Sequence, residues 1–455
     1  MTKPPSLQQV TRAFSATARR LEILDASTLP ERILPKYKDK DTPTSSLLSL
    51  HWPRPPRNIL IIPKLLAPKV TQSAVTFAKY IHAEYPGLNL VFESRVAPEI
   101  HEELNFPIYT SDRSSFSEKI DMVATLGGDG TILRAASIFS QHASVPPILS
   151  FSMGTLGFLG EWKFEEFKRA WREVYMSGSR VAVADLQTPH TQSAVGSARQ
   201  TEPGPNNDEG WVSPGGKSMG PSRASKVLLR HRLKAGVYSS DGANVNSQLM
   251  PTSTAEPQLT YMLPDLPPAR RPAKSHTRGV TTPEFHAINE LVIHRGPNPH
   301  LAIIDVYIDN HFLTEAVADG ILVSTPTGST AYSLSAGGPI VHPLVKSLLL
   351  TPISARSLSF RSLVLPLTST VVLKLSEKNR GRELEVSIDG KRRAGVTIGM
   401  EIRVTGETVG RTPDGSWGGG VPCVIRSPQG DTPEEDDGWV GGLNGLLKFN
   451  YPFGE

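Results

Sequence analysis

Apolar positions along this 455-residue chain fall into two rhythms. From Asn58 onward, short apolar runs alternate with amphipathic stretches. Ile59-Leu60-Ile61-Ile62, Leu88-Asn89-Leu90-Val91-Phe92, Met122-Val123-Ala124-Thr125-Leu126 and Pro147-Ile148-Leu149-Ser150-Phe151 read as buried strands. Between the first two, Val75, Ala78 and Ile81 recur at helical spacing, which predicts an amphipathic helix over 70–81. Strands and helices in alternation build a parallel sheet with helices on both faces. Ligands of such sheets sit beyond the carboxyl ends of the strands, where Asp129 and Gly154 would emerge.

From Phe285 the pattern becomes strand after strand: 287–294, 302–308, 320–324, 362–365, 370–375, 384–388 and 400–405. Asp309-Asn310 and Asp389-Gly390 are turn signals between some of them. The expected fold is therefore α/β followed by β: an α/β domain over 57–180 and a β-rich, sandwich-like domain over 284–453.

Other stretches carry neither rhythm. Residues 22–56, ending Trp52-Pro53-Arg54-Pro55-Pro56, read as a linker. Residues 190–222 and 239–282 are rich in Ser, Pro, Gly, Asn and Thr, and read as disordered insertions within the fold. Between them, 227–235 reads as one strand with partners elsewhere. Residues 410–438, with Glu434-Glu435-Asp436-Asp437, read as an acidic solvated loop, and 439–453 are apolar enough to dock on the body.

Composition narrows the function classes. Apolar residues make up only 38% of the chain, against 38 Gly and 39 Pro, which fits disordered segments rather than a weak core. The single Cys423 excludes an intramolecular disulfide and a cysteine-rich metal site. No apolar run reaches the roughly 18 residues a membrane span needs. A net charge of +4, with arginines scattered and no aromatics interleaved, argues against nucleic acid. The N-terminus differs from the rest: Lys3, Arg12, Arg19 and Arg20 precede the first acid, Glu22. Leu7, Val10, Phe14, Ala18 and Leu21 form a stripe when placed on a helix. Residues 1–21 thus read as a mitochondrial transit peptide, with Arg12-Ala13-Phe14-Ser15 resembling a matrix-protease cleavage context.

Chemistry concentrates at two motifs. Leu126-Gly127-Gly128-Asp129-Gly130-Thr131 follows an apolar strand and continues as Ile132-Leu133-Arg134-Ala135-Ala136, which predicts strand, tight loop and helix. Glycines let a ligand approach the backbone, and the helix start offers unpaired N–H groups and a positive dipole end to phosphate. The second motif spans 319–343: Asp319-Gly320-Ile321-Leu322-Val323, then a run dominated by small hydroxyls, Gly and Ala from Ser324 to Ser335. No Asp, Glu, Lys or Arg occurs from Gly320 to Pro343, so this run suits wrapping a polar ligand rather than facing solvent. Gly215-Gly216-Lys217-Ser218 imitates a P-loop, but Gly210 lies one residue too far upstream, with no strand before it and no helix after it.

Taken together with Asn289-Glu290-Leu291-Val292-Ile293, these motifs resemble the NAD kinases over most of 57–175 and 284–453. Thr351-Pro352-Ile353, Ser357-Leu358-Ser359-Phe360-Arg361 and the tail from Gly442 to Asn450 resemble the fungal mitochondrial NADH kinase branch. The resemblance implies a three-layer, Rossmann-like N-terminal domain and a C-terminal β domain, with the active site between them. It implies transfer of the γ-phosphoryl group of ATP, with Mg²⁺, to the 2′-hydroxyl of the adenosine ribose of NADH or NAD⁺. Asp129 would be the catalytic aspartate, as base or as metal ligand. Gly128, Gly130 and Thr131 would line phosphates, and Arg134 would pair with one. Asn289 and Glu290 would hold adenine and ribose, and Asp319 the nicotinamide end. Thr330, Ala331, Tyr332 and Ser335 would wrap the adenosine, with His300 a further dinucleotide contact, while His294 and His342 would serve structure. The family's dimers and tetramers imply a homo-oligomer in the mitochondrial matrix. Ser362 departs from the family, whose members often have proline there. The glycine loop taken alone also fits a lipid kinase of the diacylglycerol or sphingosine type, and dinucleotide binding without turnover would make a sensor.

Overall fold

The computed structural model describes residues 22–39, 47–111, 115–154, 157–160, 162–179, 224–246, 284–426 and, near the C-terminus, 439, 442, 443 and 447. The transit-peptide reading, the P-loop imitation, residues 190–222 and nearly all of the 439–453 tail lie outside them. The chain divides into two compact units: one of residues up to Arg230 together with those from Thr408, the other His231–Glu407.

The first unit is built on one large sheet. Its strands lie in the order Ile23–Asp25, Ile108–Ser111, Asn89–Glu93, Asn58–Pro63, Met122–Gly127, Ile148–Ser152, Val421–Val424, Lys226–Arg230, Leu48–His51 and Lys36–Lys38. Trp162–Lys163 pairs separately with Ile148–Ser152. The first seven strands run parallel, with Ile59 opposite Met122 and Val123 opposite Ile148, and the last three join antiparallel. Counting from Asn58–Pro63, the chain first builds outward to Ile108–Ser111. It then returns to the other side of Asn58–Pro63 with Met122–Gly127 and Ile148–Ser152. The order of progression therefore reverses between Asn58–Pro63 and Met122–Gly127, which is where doubly wound sheets bind ligands.

The predicted helix extends over Pro68–Glu84, with Pro at its start, where a missing N–H costs nothing. Its buried face, including Ala74, Val75, Phe77, Ala78 and Ile81, packs with Ile59, Ile61 and Leu126 of the sheet. Phe77 meets Phe151 and Trp171 edge to face, at ring-centre distances of 5.3 and 5.8 Å. Among the described residues no helix is long and apolar enough to cross a membrane.

The second unit is a sandwich of two six-stranded antiparallel sheets. One has the order Phe285–Ala287, Leu233–Tyr238, Glu401–Gly406, Val371–Leu375, Ala302–Ile308, His311–Ala318. The other has the order Leu363–Pro366, Ser347–Ile353, Gly320–Ser324, Glu290–His294, Glu383–Ile388, Lys391–Thr397. Strand alternation sends Leu291, Ile293, Ile321 and Val323 into a core shared with Leu233, Val306, Leu373 and Val404. Val292 and Leu322 point the other way, yet are also buried, with Ile353. That second buried face explains why the central strands read as continuous apolar runs rather than alternating ones.

Four sequence expectations change. Residues 22–56 are not a linker: they contribute three strands, and Leu50 and Trp52 are fully buried. The physical tie is Asp121, whose carboxylate accepts the backbone N–H groups of Ile33, Arg57 and Asn58. Residues 227–235 are two strands, broken at His231-Arg232 and belonging to different units. The start of the 239–282 stretch is a tight turn rather than an insertion, with Ser239 N–H donating to Ala243 O at 2.9 Å. Lastly, 410–426 is ordered structure: Gly410–Arg411 pairs with Trp417–Gly418, and Val421–Val424 is a buried strand of the large sheet.

Candidate functional site

In the first unit the apolar strand Met122–Gly127 delivers the glycine loop. A side chain at Gly127 would come within 2.3 Å of Thr131 Oγ1, so the loop closes on itself only with glycine there. Gly128 caps the helix Asp129–Ile138, and the buried Thr131 donates its backbone N–H to Gly128 O at 2.9 Å. Gly128 and Gly130 are exposed, and a Cβ at either would meet no atom within 4 Å. Neither has a positive φ. Neither backbone strain nor internal packing therefore asks for glycine at these two positions. What the missing side chains provide is access to the N–H groups of a helix start, the arrangement that receives phosphate.

Asp129 is the first residue of that helix and is half-buried. Its Oδ2 accepts the Phe158 N–H at 3.0 Å and its Oδ1 the Leu159 N–H at 3.1 Å. A Cβ at Gly157 would lie 2.1 Å from Oδ1, so the loop after Ile148–Ser152 reaches the carboxylate only because Gly157 has none. Each carboxylate oxygen keeps acceptor capacity beyond its amide bond. A carboxylate fixed in this way can take a proton or share a cation. Among the described residues, no group of three or more His, Cys, Asp or Glu side chains is placed to hold a metal.

Arg134 has partners other than the one anticipated. Its Nη2 donates to Pro63 O at 2.5 Å and pairs with Glu93 Oε2 at 3.2 Å, with both side chains largely buried. Glu93 also accepts Arg95 Nη2 at 3.0 Å. Arg134 is thus engaged in an ion pair, and the sequence carried no cue that Glu93, at the end of the second strand, would be its partner.

In the second unit, Asn289 and Glu290 open the strand Glu290–His294 and are both buried. Three hydrogen bonds fix this corner, from the N–H groups of Ile288, Asn289 and Glu290 to the Asp389 carboxylate at 2.9, 2.8 and 3.2 Å. Asp389 sits in the hairpin turn with Gly390, both at positive φ of 47° and 72°. The sequence showed Asp389-Gly390 only as a turn; its second use as an acceptor was not visible there. From the other side, Thr325 N–H donates to Asn289 O at 2.9 Å, and Gly328 packs so close that a Cβ would lie 2.2 Å from that oxygen. With the backbone so held, Asn289 Oδ1 and Glu290 Oε2 are buried and take no hydrogen bond from the described residues. Burial, and then the neighbouring Asp389 carboxylate, push the Glu290 carboxyl up to about 8. Two buried acceptors without donors are costly in a chain by itself, and fit a ligand that brings hydroxyl and amino donors.

Asp319 forms an ion pair with Arg295, whose Nε donates to Oδ1 at 2.6 Å. That hydrogen bond holds the carboxyl below the usual range. Arg295 was not singled out from the sequence. Thr330 Oγ1 donates to Thr327 O at 3.3 Å, closing a short 3₁₀ turn over Thr327–Thr330. Ala331 follows half-buried, and Tyr332 and Ser335 lie exposed on the short helix Tyr332–Ser335. Ser333, between them, is buried against Thr351 Oγ1 at 3.2 Å, and Thr351 in turn bonds Ser362, the residue that departs from the family. His300 is exposed in a turn. His294 and His342 accept backbone N–H groups two residues on, a local structural use.

Comparison with known proteins agrees with both halves of this geometry. Residues 63–179 match the model of the ATP-NAD kinase N-terminal domain, and residues 288–408 that of the C-terminal domain. The chain is 34% identical over 432 residues to a mitochondrial NADH kinase of Schizosaccharomyces pombe, covering 94% of this chain and 85% of that one. It is 31% identical to the mitochondrial NADH kinase of Saccharomyces cerevisiae, covering 90% and 85%. Among solved structures, yeast NADH kinase complexed with NADH matches with a TM-score of 0.69 at 30% identity, over 95% of this chain and 97% of that one.

Proposed function

The chain belongs to the ATP-NAD kinase family, and from that premise we propose how its residues carry out the reaction. The activity is that of an NADH and NAD⁺ kinase, phosphorylating the 2′-hydroxyl of the adenosine ribose at the expense of ATP to give NADPH or NADP⁺. The observation that carries the assignment of roles is the Asp129 carboxylate, held by two amide N–H groups at the head of a helix under an open glycine loop.

On this reading the 2′-oxygen attacks the γ-phosphorus in line, forming one P–O bond as the bond to the β-phosphate oxygen breaks. Positioning and charge compensation supply most of the rate in such transfers. The hydroxyl proton passes to Asp129, late in the step, once bond formation has acidified the oxygen. Gly128, Gly130 and Thr131 line the phosphates, with the start of the helix supplying backbone N–H groups. Asn289 and Glu290 offer their unpaired acceptors to the adenine amino group and the ribose hydroxyls, with Asp319, Thr330, Ala331, Tyr332, Ser335 and His300 as further dinucleotide contacts. Asp129 is the protein carboxylate that would face a Mg²⁺ ion brought by the nucleotide, and such an ion would neutralise phosphate charge.

The compartment is the mitochondrion, in keeping with the names of the two fungal relatives, and on this reading the enzyme works in the matrix. A homodimer or homotetramer belongs to the same reading. It is supported by the edge strand His311–Ala318, which leaves Phe312 and Leu313 exposed at the border of its sheet.

A paired assay tests the function: ATP and Mg²⁺ with either NADH or NAD⁺, on the chain from Glu22, with Asp129→Asn as control. Product with either acceptor, lost in the control, is the expected result. Dinucleotide binding without product from either acceptor would make the protein a sensor.

A further inference from the structure

At the phosphate end of the first unit, the cation that the sequence assigned there already has protein partners. Arg134 is bound to Glu93 and to Pro63 O, and Arg95 is bound to Glu93 as well. Phosphoryl transfer from a highly charged donor calls for positive charge on the phosphates. The structure offers another candidate one residue beyond the strand Asn58–Pro63.

Lys64 leaves the sheet between the two strands where the order of progression reverses. Pro63 stands opposite Leu126, and the Lys64 N–H donates to Leu126 O at 2.7 Å. Just before it, Pro63 O takes the Arg134 guanidinium. The backbone of Lys64 is therefore pinned on both sides, once to the strand that ends in the glycine loop and once to the helix that begins at Asp129. Its Cβ is among the atoms nearest to Gly127, 3.1 Å from where a side chain would start there. The residue is exposed, and its ammonium makes no ion pair with the described residues. A lysine stem spans about 6 Å in reach, enough to sweep the space above the 128–130 loop.

Resting on the kinase reading above, we infer that Lys64 is the cation that binds the terminal phosphates of the donor nucleotide at the 128–130 loop. Arg134 and Glu93 then act as positioning residues for it, through Pro63 O. A point charge on a flexible stem suits this task, because it can follow the γ-phosphate as the bond to the leaving oxygen lengthens.

The test is steady-state kinetics of the full chain carrying Lys64→Met or Lys64→Arg, with ATP and NADH varied separately, beside thermal melting. For Lys64→Met, kcat/KM for ATP should fall by roughly 10²-fold. The KM for NADH should stay within about twofold and the melting temperature should hardly move, because Lys64 is exposed. Lys64→Arg should recover part of the loss. Unchanged ATP kinetics in Lys64→Met would overturn the assignment, and so would a loss confined to the KM for NADH. If the wild-type chain has no kinase activity, the kinase reading fails first. Calorimetric binding of a non-hydrolysable ATP analogue then judges Lys64 alone: equal affinity of wild type and Lys64→Met overturns it, and weaker binding by the variant supports it.

Discussion

The Asp389 carboxylate accepts the Asn289 amide hydrogen at 2.8 Å, and through that bond a hairpin turn fixes the residue proposed to read adenine. Asp389→Ala would leave three buried N–H groups without an acceptor, at about 1–3 kcal/mol each. The expected result is a lower unfolding midpoint and a KM for NADH raised at least about tenfold, with the KM for ATP little changed. Asp389→Asn keeps one acceptor oxygen and should fall between. Normal NADH affinity in a folded Asp389→Ala chain would remove Asp389 from the site.

Glu290 makes the free protein's stability depend on pH. Its carboxyl titrates near 8 in the folded chain, against 4.5 as the ordinary value, because of burial first and the Asp389 carboxylate second. Between those values the folded chain holds a proton that the unfolded chain has released. Stability is therefore fully present below about 4.5 and is lost as pH rises through about 8. Urea unfolding at pH 5, 6.5 and 8 should show this decline, and Glu290→Gln should flatten it. Parallel curves for the two proteins would show that Glu290 does not titrate in this range.

Binding should draw on the same proton. Ribose hydroxyls that donate to Glu290 favour its charged form, so NADH binding near pH 7 should release a proton. Calorimetry in two buffers of different ionisation enthalpy measures it directly. Identical heats in the two buffers, or proton uptake, would contradict the pairing of Glu290 with hydroxyl donors.

Asp129→Asn keeps the size of the side chain and one acceptor oxygen while removing the base. A fall in kcat of roughly 10²–10⁴-fold is expected, with KM values for both substrates nearly unchanged. If Asp129 chiefly faces Mg²⁺, the variant's activity should instead recover at high Mg²⁺. A magnesium titration of Asp129→Asn separates the two roles.

At the boundary of the second unit, Arg232 and Glu407 form a buried bidentate pair at 2.7 and 2.5 Å, and the Glu407 N–H donates to Arg232 O. Removing one partner strands a buried charge, so Glu407→Ala should cost about 3–5 kcal/mol. The double variant Arg232→Met, Glu407→Leu should cost much less. Equal losses in the two would mean that packing, not charge, sets the cost.

How much of this was legible beforehand follows from the range of each interaction. The runs at 59–62, 122–126 and 148–151 announced a parallel sheet because both faces of those strands are buried. The glycine loop was legible for the same local reason, a strand ending where backbone freedom begins. Pairings across long separations were not. Nothing near Arg134 indicates that Glu93 will bind it, and nothing near Asp389 indicates that amides 100 residues earlier will need its carboxylate. The segment 22–56 misled because its buried residues, Leu29, Ile33, Tyr37, Leu50 and Trp52, sit on or beside strands of only three or four residues, too short to show an apolar run among the prolines.

That segment yields the last prediction. The buried Asp121 carboxylate bonds the N–H groups of Ile33, Arg57 and Asn58, and burial raises it above the usual range. Trp52 donates its indole N–H to Val174 O at 2.9 Å, and Leu50 is fully buried. A chain beginning at Glu22 keeps all of these contacts. One beginning at Arg57 loses Ile33, three strands and a fully buried tryptophan, worth about 3–5 kcal/mol by itself. That approaches the whole stability of an ordinary domain. The shorter chain should therefore be insoluble or unfolded by circular dichroism, while the longer one folds and turns over. A folded, active chain beginning at Arg57 would restore the linker reading.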